Sequence, residues 1–159
     1  MAVKCDISRA ITLDLIDDGG GNSLTFPWLD IPTPDYNAIA HLGRAGYVQK
    51  TLIDTWFYAQ VAGLVAQLAN NQEGDVSSLD NSVILVCNGC NEGAEETVRG
   101  LPYLIIGSAG GFFKQGISVQ FPSTVPNNSL LTSVCHAMDL PVASVGSSYT
   151  GDVDAALKA

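Results

Sequence analysis

Residues Leu79–Gly111 read LDNSVILVCNGCNEGAEETVRGLPYLIIGSAGG and hold two short apolar runs separated by a polar, acidic loop. Ser82–Val86 and Tyr103–Ile106 are rich in β-branched and aromatic residues and are bounded by Asp-Asn, Leu-Pro and Gly signals. That pattern predicts two strands buried on both faces, placed centrally in an α/β sheet. In open α/β sheets sites lie beyond the carboxyl ends of strands, which directs attention to Cys87–Gly93 and Gly107–Gly111. The first stretch offers Asn88, Cys90, Asn91 and Glu92, with no histidine and no serine nucleophile.

Working outward, the surest element is YVQKTLIDTWFYAQVAGLVAQLAN, Tyr47 to Asn70. Its Ile53, Trp56, Phe57, Val61, Leu64 and Leu68 recur at helical spacing and predict one long amphipathic helix of ~35 Å. Before it, Ile7–Leu15 reads as a strand. Gly19–Asp35 reads as an irregular passage tied down by Trp28, and Tyr36–Gly46 as a short helical turn. After the central strands, the Gly107–Gly111 cluster lacks the spacing of a phosphate loop and reads as a tight turn. Ile117–Phe121 alternates like an edge strand. Asn127 or Asn128 is expected to cap a helix bearing Leu130, Leu131, Val134 and Met138, with His136 off that stripe as a satisfied surface residue. The tail from Ser144 offers no chemistry.

The length of 159 residues fits one α/β domain, expected as a layered α/β/α sandwich around a mostly parallel or mixed sheet. Hydrophobic residues make up 47% of the chain and charged residues only 14%. So little charge, against a norm of ~25%, points to a filled core or to an apolar face that meets a partner. Seven basic against sixteen acidic residues leave a net charge of −9, which excludes the cation-driven binding that nucleic acids require. Charges at Lys4, Asp6, Arg9 and Asp14 interrupt any signal-peptide core, and no run of eighteen apolar residues exists. The sequence as written is therefore expected to stay in the cytoplasm, away from membranes. Four cysteines are too few for a disulfide scaffold. Cys87 and Cys90 form a Cys-x-x-Cys followed by a poor helix opening, and no second ligand pair is present for zinc.

The order DISRAITLDL, NAIAHL, long helix, LDNSVILVCNGCNEG, GLPYLIIGSAGGFFKQG and NNSLLTSVCHAMDLP resembles the carboxy-terminal part of a bacterial family of exported proteins known by a His-x-x-Ser-His-His motif. That family looks like a distant branch of the alkaline phosphatase and sulfatase superfamily, whose members hydrolyse esters at paired metals in a three-layer fold. The resemblance places the motif at Asn37–Leu42, where only His41 remains and Ala40 stands for the serine. It places Asn88-Gly89-Cys90-Asn91 where metal-dependent relatives have Ser-Asp-His-Gly. The resemblance thus implies a non-catalytic domain acting in binding or assembly, without a cofactor, expected as a homodimer or higher oligomer. Two alternatives stand beside it. One is a hydrolase completed by another chain, using His41, Glu92, Glu95 or Glu96 together with Asn88, Cys90 and Asn91 as residual site groups. The other is thiol redox or metal binding through Cys87 and Cys90.

Overall fold

A computed structural model describes residues 5, 7–15, 24–31, 35–91, 93–146 and 151–159. In chain order it contains a 3-10 turn at Pro27–Leu29, helix α1 (Tyr36–His41), a second 3-10 turn at Gly43–Gly46 and helix α2 (Tyr47–Asn70). Strands β1 (Gln72–Glu73), β2 (Val76–Ser77), β3 (Ile84–Cys87) and β4 (Tyr103–Ile106) follow, then helices α3 (Asn127–Ala137) and α4 (Asp154–Leu157). The class is mixed α/β. Two compact units divide the chain: Met1–Ala66 with Asn88–Leu101, and Gln67–Cys87 with Pro102–Ala159.

The first unit is built on aromatic packing. Phe26, Ile39 and Ile53 are buried, and Leu29, Ile31, Tyr36, Trp56 and Phe57 pack around them. The Phe26 ring lies 5.5 Å from Trp28, 5.7 Å from Phe57, 6.2 Å from Trp56 and 6.5 Å from Tyr36, mostly edge to face. Such pairings add to the area that they bury. Phe26 is 2% exposed and Trp28 is 55% exposed, so Phe26, rather than the expected Trp28, anchors this segment. Asp35 opens α1 by accepting the Ala38 N–H at 2.6 Å, the side-chain cap that an extended Asp before a helix provides. The chain then turns into α2 at Gly46, where a Cβ would run into the Ile39 carbonyl oxygen.

Helix α2 has the expected bounds, but its apolar groups do not segregate to one face. Ile53 is fully buried and Trp56, Phe57, Val61, Val65 and Leu68 are half-buried. Val48, Leu52, Tyr58 and Leu64 are exposed. The two charged residues of the helix lie on its half-buried flank and satisfy each other. Lys50 Nζ donates to Asp54 Oδ1 and Oδ2 at 2.6 and 2.5 Å, Tyr36 Oη donates to Asp54 Oδ1 at 3.3 Å, and Lys50 Nζ sits 4.7 Å from the Tyr36 ring centroid. Burial pushes the Tyr36 phenol up against the opposing pull of Lys50. Burial also works against charge on Lys50, but the bonds to Asp54 and Tyr36 outweigh it and raise that ammonium.

In the second unit β1 and β2 form a hairpin, and β3 and β4 pair antiparallel with Ile84 opposite Ile106 and Cys87 opposite Tyr103. Both described sheets are two-stranded. Val83, Leu85, Tyr103 and Ile105 face a core of Phe113, Leu130 and Leu157. The other face of the β3–β4 pair is less covered: Leu104 is exposed and no residue of β3 or β4 is fully buried. This corrects the expectation of strands buried on both faces, because only one face of the pair meets the core. Antiparallel pairing also puts the carboxyl ends of β3 and β4 at opposite ends of the ladder.

Further expectations are corrected here. Ile7–Leu15 forms no strand: Ile7, Ile11 and Leu13 are exposed, and β-branched residues hold a strand only against neighbours. Ile117–Phe121 pairs with no strand among the described residues. Helix α3 has Pro126 at its N-cap position with no side-chain cap, while Asn128 Nδ2 donates to the Val145 carbonyl at 2.6 Å.

Phe26→Ala should lower the free energy of unfolding by ~3–5 kcal/mol, the usual cost of removing a buried aromatic ring. Trp28→Ala should cost less than ~1 kcal/mol. Equal losses in urea titrations of the two variants would contradict the placement of Phe26 at the centre of this core.

Candidate functional site

Of the sequence-derived site residues, the first unit brings two together. His41 ends α1, and its Nε2 lies 3.7 Å from Glu96 Oε1 in an exposed pair. The loop reaches it by resting on α1 at a small residue: a Cβ at Gly93 would press on the Ala40 Cβ at 2.9 Å. Alanine at position 40 thus permits a close approach of the loop. Within the loop the Asn91 N–H donates to the Thr97 carbonyl at 2.8 Å, and Glu96 holds φ at 52°, in the left-handed region that costs a non-glycine residue ~1–3 kcal/mol. Asn88 is exposed and Cys90 half-buried. Glu92 lies outside the described residues. Cys87 is exposed at the end of β3, and neither it nor Cys90 is in a disulfide.

The Gly107–Gly111 segment is a turn in which the amides of Ala109, Gly110 and Gly111 are engaged within the chain. Ala109 N–H donates to the Ser82 carbonyl at 3.0 Å, Gly110 N–H to the Asp80 carbonyl at 2.7 Å and Gly111 N–H to Ser108 Oγ at 3.2 Å. Gly107 has φ of 91°, and a Cβ there would strike the Ser82 carbonyl oxygen. Glycine is required there by geometry, without reference to a phosphate.

A second cluster was not foreseen from sequence. His136 of α3 and Asp152 and Asp154 near the C-terminus bring one potential ligand atom each within 4.8 Å of one another, and they are the one such group among the described residues. Helix α3 builds this site through hydroxyls. Ser129, Thr132 and Ser133 are buried. Thr132 Oγ1 accepts the Val145 N–H at 3.1 Å and Ser133 Oγ accepts the Val153 N–H at 2.9 Å, so the returning chain is held on the helix. The terminus then pairs back: Lys114 N–H donates to the Leu157 carbonyl at 2.8 Å and Ala159 N–H to the Phe112 carbonyl at 3.0 Å. Beside it an open cleft of about 500 Å³ is lined by Phe112, His136, Asp139, Leu140, Pro141, Val142, Ala143, Asp154 and Lys158.

The donor set suits internal cations better than a metal. His136 Nδ1 lies 3.0 Å from Asp154 Oδ2, and His136 Nε2 lies 2.8 Å from the Val142 carbonyl oxygen. Both partners accept only, so both ring nitrogens must donate and the ring is an imidazolium. Lys158 Nζ occupies the same carboxylate oxygen at 3.0 Å. The bond to the Val142 carbonyl, followed by that to Asp154, holds the His136 pKa above its ordinary value. Burial opposes ionisation of Asp154, but the Ser133 hydroxyl, Lys158 and His136 outweigh it and lower its pKa. Asp152 Oδ1 accepts the Asp154 N–H at 3.0 Å and orders the start of α4. The expected surface histidine is therefore satisfied, and it clasps the C-terminal segment onto α3.

The clasp has a defined pH window. A raised histidine contributes stability in full below its unfolded pKa of about 6.5 and loses it as pH rises through the folded value. A lowered carboxyl contributes above about 3.8 and loses that contribution as pH falls. Hydrogen-exchange protection at Ala156 and Lys158, corrected for intrinsic rates, should be greatest between about pH 4 and 6.5 and weaken above it. His136→Gln should remove the upper limb of that profile. An NMR titration giving His136 a pKa at or below 6.5 would contradict the doubly bonded imidazolium.

No family model, curated protein or solved structure matches this chain.

Proposed function

We propose that this chain is a non-catalytic α/β domain that acts in binding or assembly and derives from the carboxy-terminal part of an alkaline phosphatase-like fold. The observation that carries the reading is the amount of large apolar surface left open on a chain with so little charge. Val48 is 73% exposed, Val98 63%, Leu140 54% and Leu52 47%. Val48 and Leu52 lie one turn apart on α2, and exposed apolar surface of this kind favours contact with another chain. The apolar outer face of the β3–β4 pair fits the same reading, in which the layers of an α/β/α sandwich are completed by association.

A hydrolase completed by another chain is the second reading, favoured by the contact of His41 with Glu96. One imidazole and one carboxylate are fewer donors than a catalytic metal needs from protein, so the rest would come from the partner.

The purified chain should hydrolyse neither phosphate nor sulfate monoesters, with or without zinc, magnesium or manganese, and light scattering during gel filtration should give a dimer or larger closed oligomer. Metal-stimulated turnover that His41→Ala abolishes would overturn the non-catalytic reading. A monomer mass at every micromolar concentration would overturn the assembly reading.

A further inference from the structure

The aromatic cluster that seats Phe26 also walls a cavity at the surface of the first unit. About 260 Å³ of partly open space is bounded by Phe26, Trp28, Trp56 and Phe57, with the Asp14 carboxylate and the Gln60 amide among its other lining groups. The rings are not stacked flat on one another. Trp28 and Trp56 are inclined at 52° with centroids 5.4 Å apart, Trp56 and Phe57 at 71° and 5.1 Å, and Phe26 and Trp28 at 63° and 5.5 Å.

Trp28 is the wall that core packing does not account for. Phe26 is buried and anchors the segment, whereas Trp28 is 55% exposed, so the core gains little from it. An indole left open at the edge of a cavity offers what an aliphatic side chain does not. The face of its ring is negative and attracts a cation, more strongly than that of tyrosine or phenylalanine.

The same cluster already holds one cation in this way. On the flank of α2, Lys50 Nζ sits 4.7 Å from the Tyr36 ring centroid and pairs with the Asp54 carboxylate. The Tyr36 ring lies in turn 6.5 Å from Phe26 and 6.4 Å from Phe57. The cavity brings together the same two ingredients, aromatic rings and a carboxylate, and among the described residues that line it none is a cation. The net charge of −9 adds a general attraction for positive ligands.

The scarcity of acceptors selects the kind of cation. A guanidinium carries five N–H donors and a primary ammonium three, and each needs an acceptor once it leaves water. Asp14 and Gln60 are the side-chain acceptors of the described lining, which is otherwise aromatic and aliphatic. A quaternary ammonium has no N–H to satisfy and presents methyl groups that pack on rings. Sites for drug-sized molecules begin at roughly 300 Å³, so a cavity of this size suits a headgroup.

We propose that the cavity beside Trp28 is a binding site for a quaternary ammonium group, with Trp28, Trp56 and Phe57 as aromatic walls and Asp14 as the countercharge. The site is formed within one chain and does not depend on the association proposed above.

Trp28 and Trp56 are the two tryptophans of the chain, so intrinsic fluorescence reads the site directly. Choline added to the full chain at constant ionic strength should change the emission saturably, with a Kd on the order of 1 mM, as expected for a few ring contacts. The neutral tert-butyl analogue, in which carbon replaces the charged nitrogen, should bind about tenfold more weakly or worse. Trp28→Ala should stay folded by circular dichroism and raise the Kd about tenfold, read from Trp56, while Trp28→Phe should recover part of that loss. Asp14→Asn should raise it about two- to fivefold, the worth of one exposed charge. A trimethyllysine peptide in the same titration separates the two sources of this group. Tighter binding of the peptide supports a site for a modified protein, and tighter binding of choline supports a site for a free small molecule. Emission that saturates with neither overturns the site. Equal affinity for the neutral analogue overturns the recognition of charge, and unchanged binding by both Trp28 variants overturns the placement.

Discussion

The seating of Phe26 against α2 is the contact on which the first unit depends. A segment bearing prolines cannot hydrogen-bond into a sheet or a long helix, so it needs another means of staying on the domain. Phe26 supplies it by placing a single ring among Tyr36, Trp56 and Phe57 while Ile39 and Ile53 close the floor. Once that ring is in place, Asp35 can cap α1, Gly46 can pass under Ile39, and α2 can begin without a break. The inner half of the long helix is thereby satisfied early in its length, through Ile53, Trp56 and Phe57.

The second unit meets a different requirement by a different means. Its C-terminal segment is too short and polar to be held by apolar burial alone, and α3 meets it with a row of hydroxyls. Thr132 and Ser133 accept backbone N–H groups that would otherwise be left without partners, which is costly in a buried setting. The His136, Asp154 and Lys158 clasp adds charge-assisted bonds at the outer edge of the same contact. Polar groups fix the position of this segment, and Leu157 supplies its apolar plug beside Phe113 and Leu130.

These differences explain which parts of the fold were legible in the sequence. Helix α2 was legible because its twenty-four positions hold no proline and one glycine, Gly63, and close at the Asn70-Asn71 pair. Strands β3 and β4 were legible as apolar runs, but their pairing direction depends on the path of the intervening loop, which periodicity does not encode. Ile7–Leu15 has the composition of a strand and pairs with no strand among the described residues. The placing of His41 near Glu96 depended on an alanine and a glycine, Ala40 and Gly93, whose importance is the absence of side chains. The His136 clasp joins residues eighteen apart through a tail that sequence inspection found featureless, and its signal was the run of Ser129, Thr132 and Ser133 on one side of α3.

The distribution of the few charges connects these observations. Lys50 and Asp54 bind each other on the flank of α2, and His136, Asp154 and Lys158 bind one another at the terminus. In both places charge is drawn into contacts within the chain. The outer face of α2 is left with none, although an exposed helix face ordinarily carries charged residues and gains from their pairing. A surface helix selected for solubility alone would place Lys and Glu where this one has Thr55, Ala59, Ala62 and Ala66. Ile53 is buried and Trp56 and Phe57 pack on the core, while the exposed apolar residues of the opposite side add little to the stability of the single chain. They lower the free energy of the system only when water is removed from them by another apolar surface.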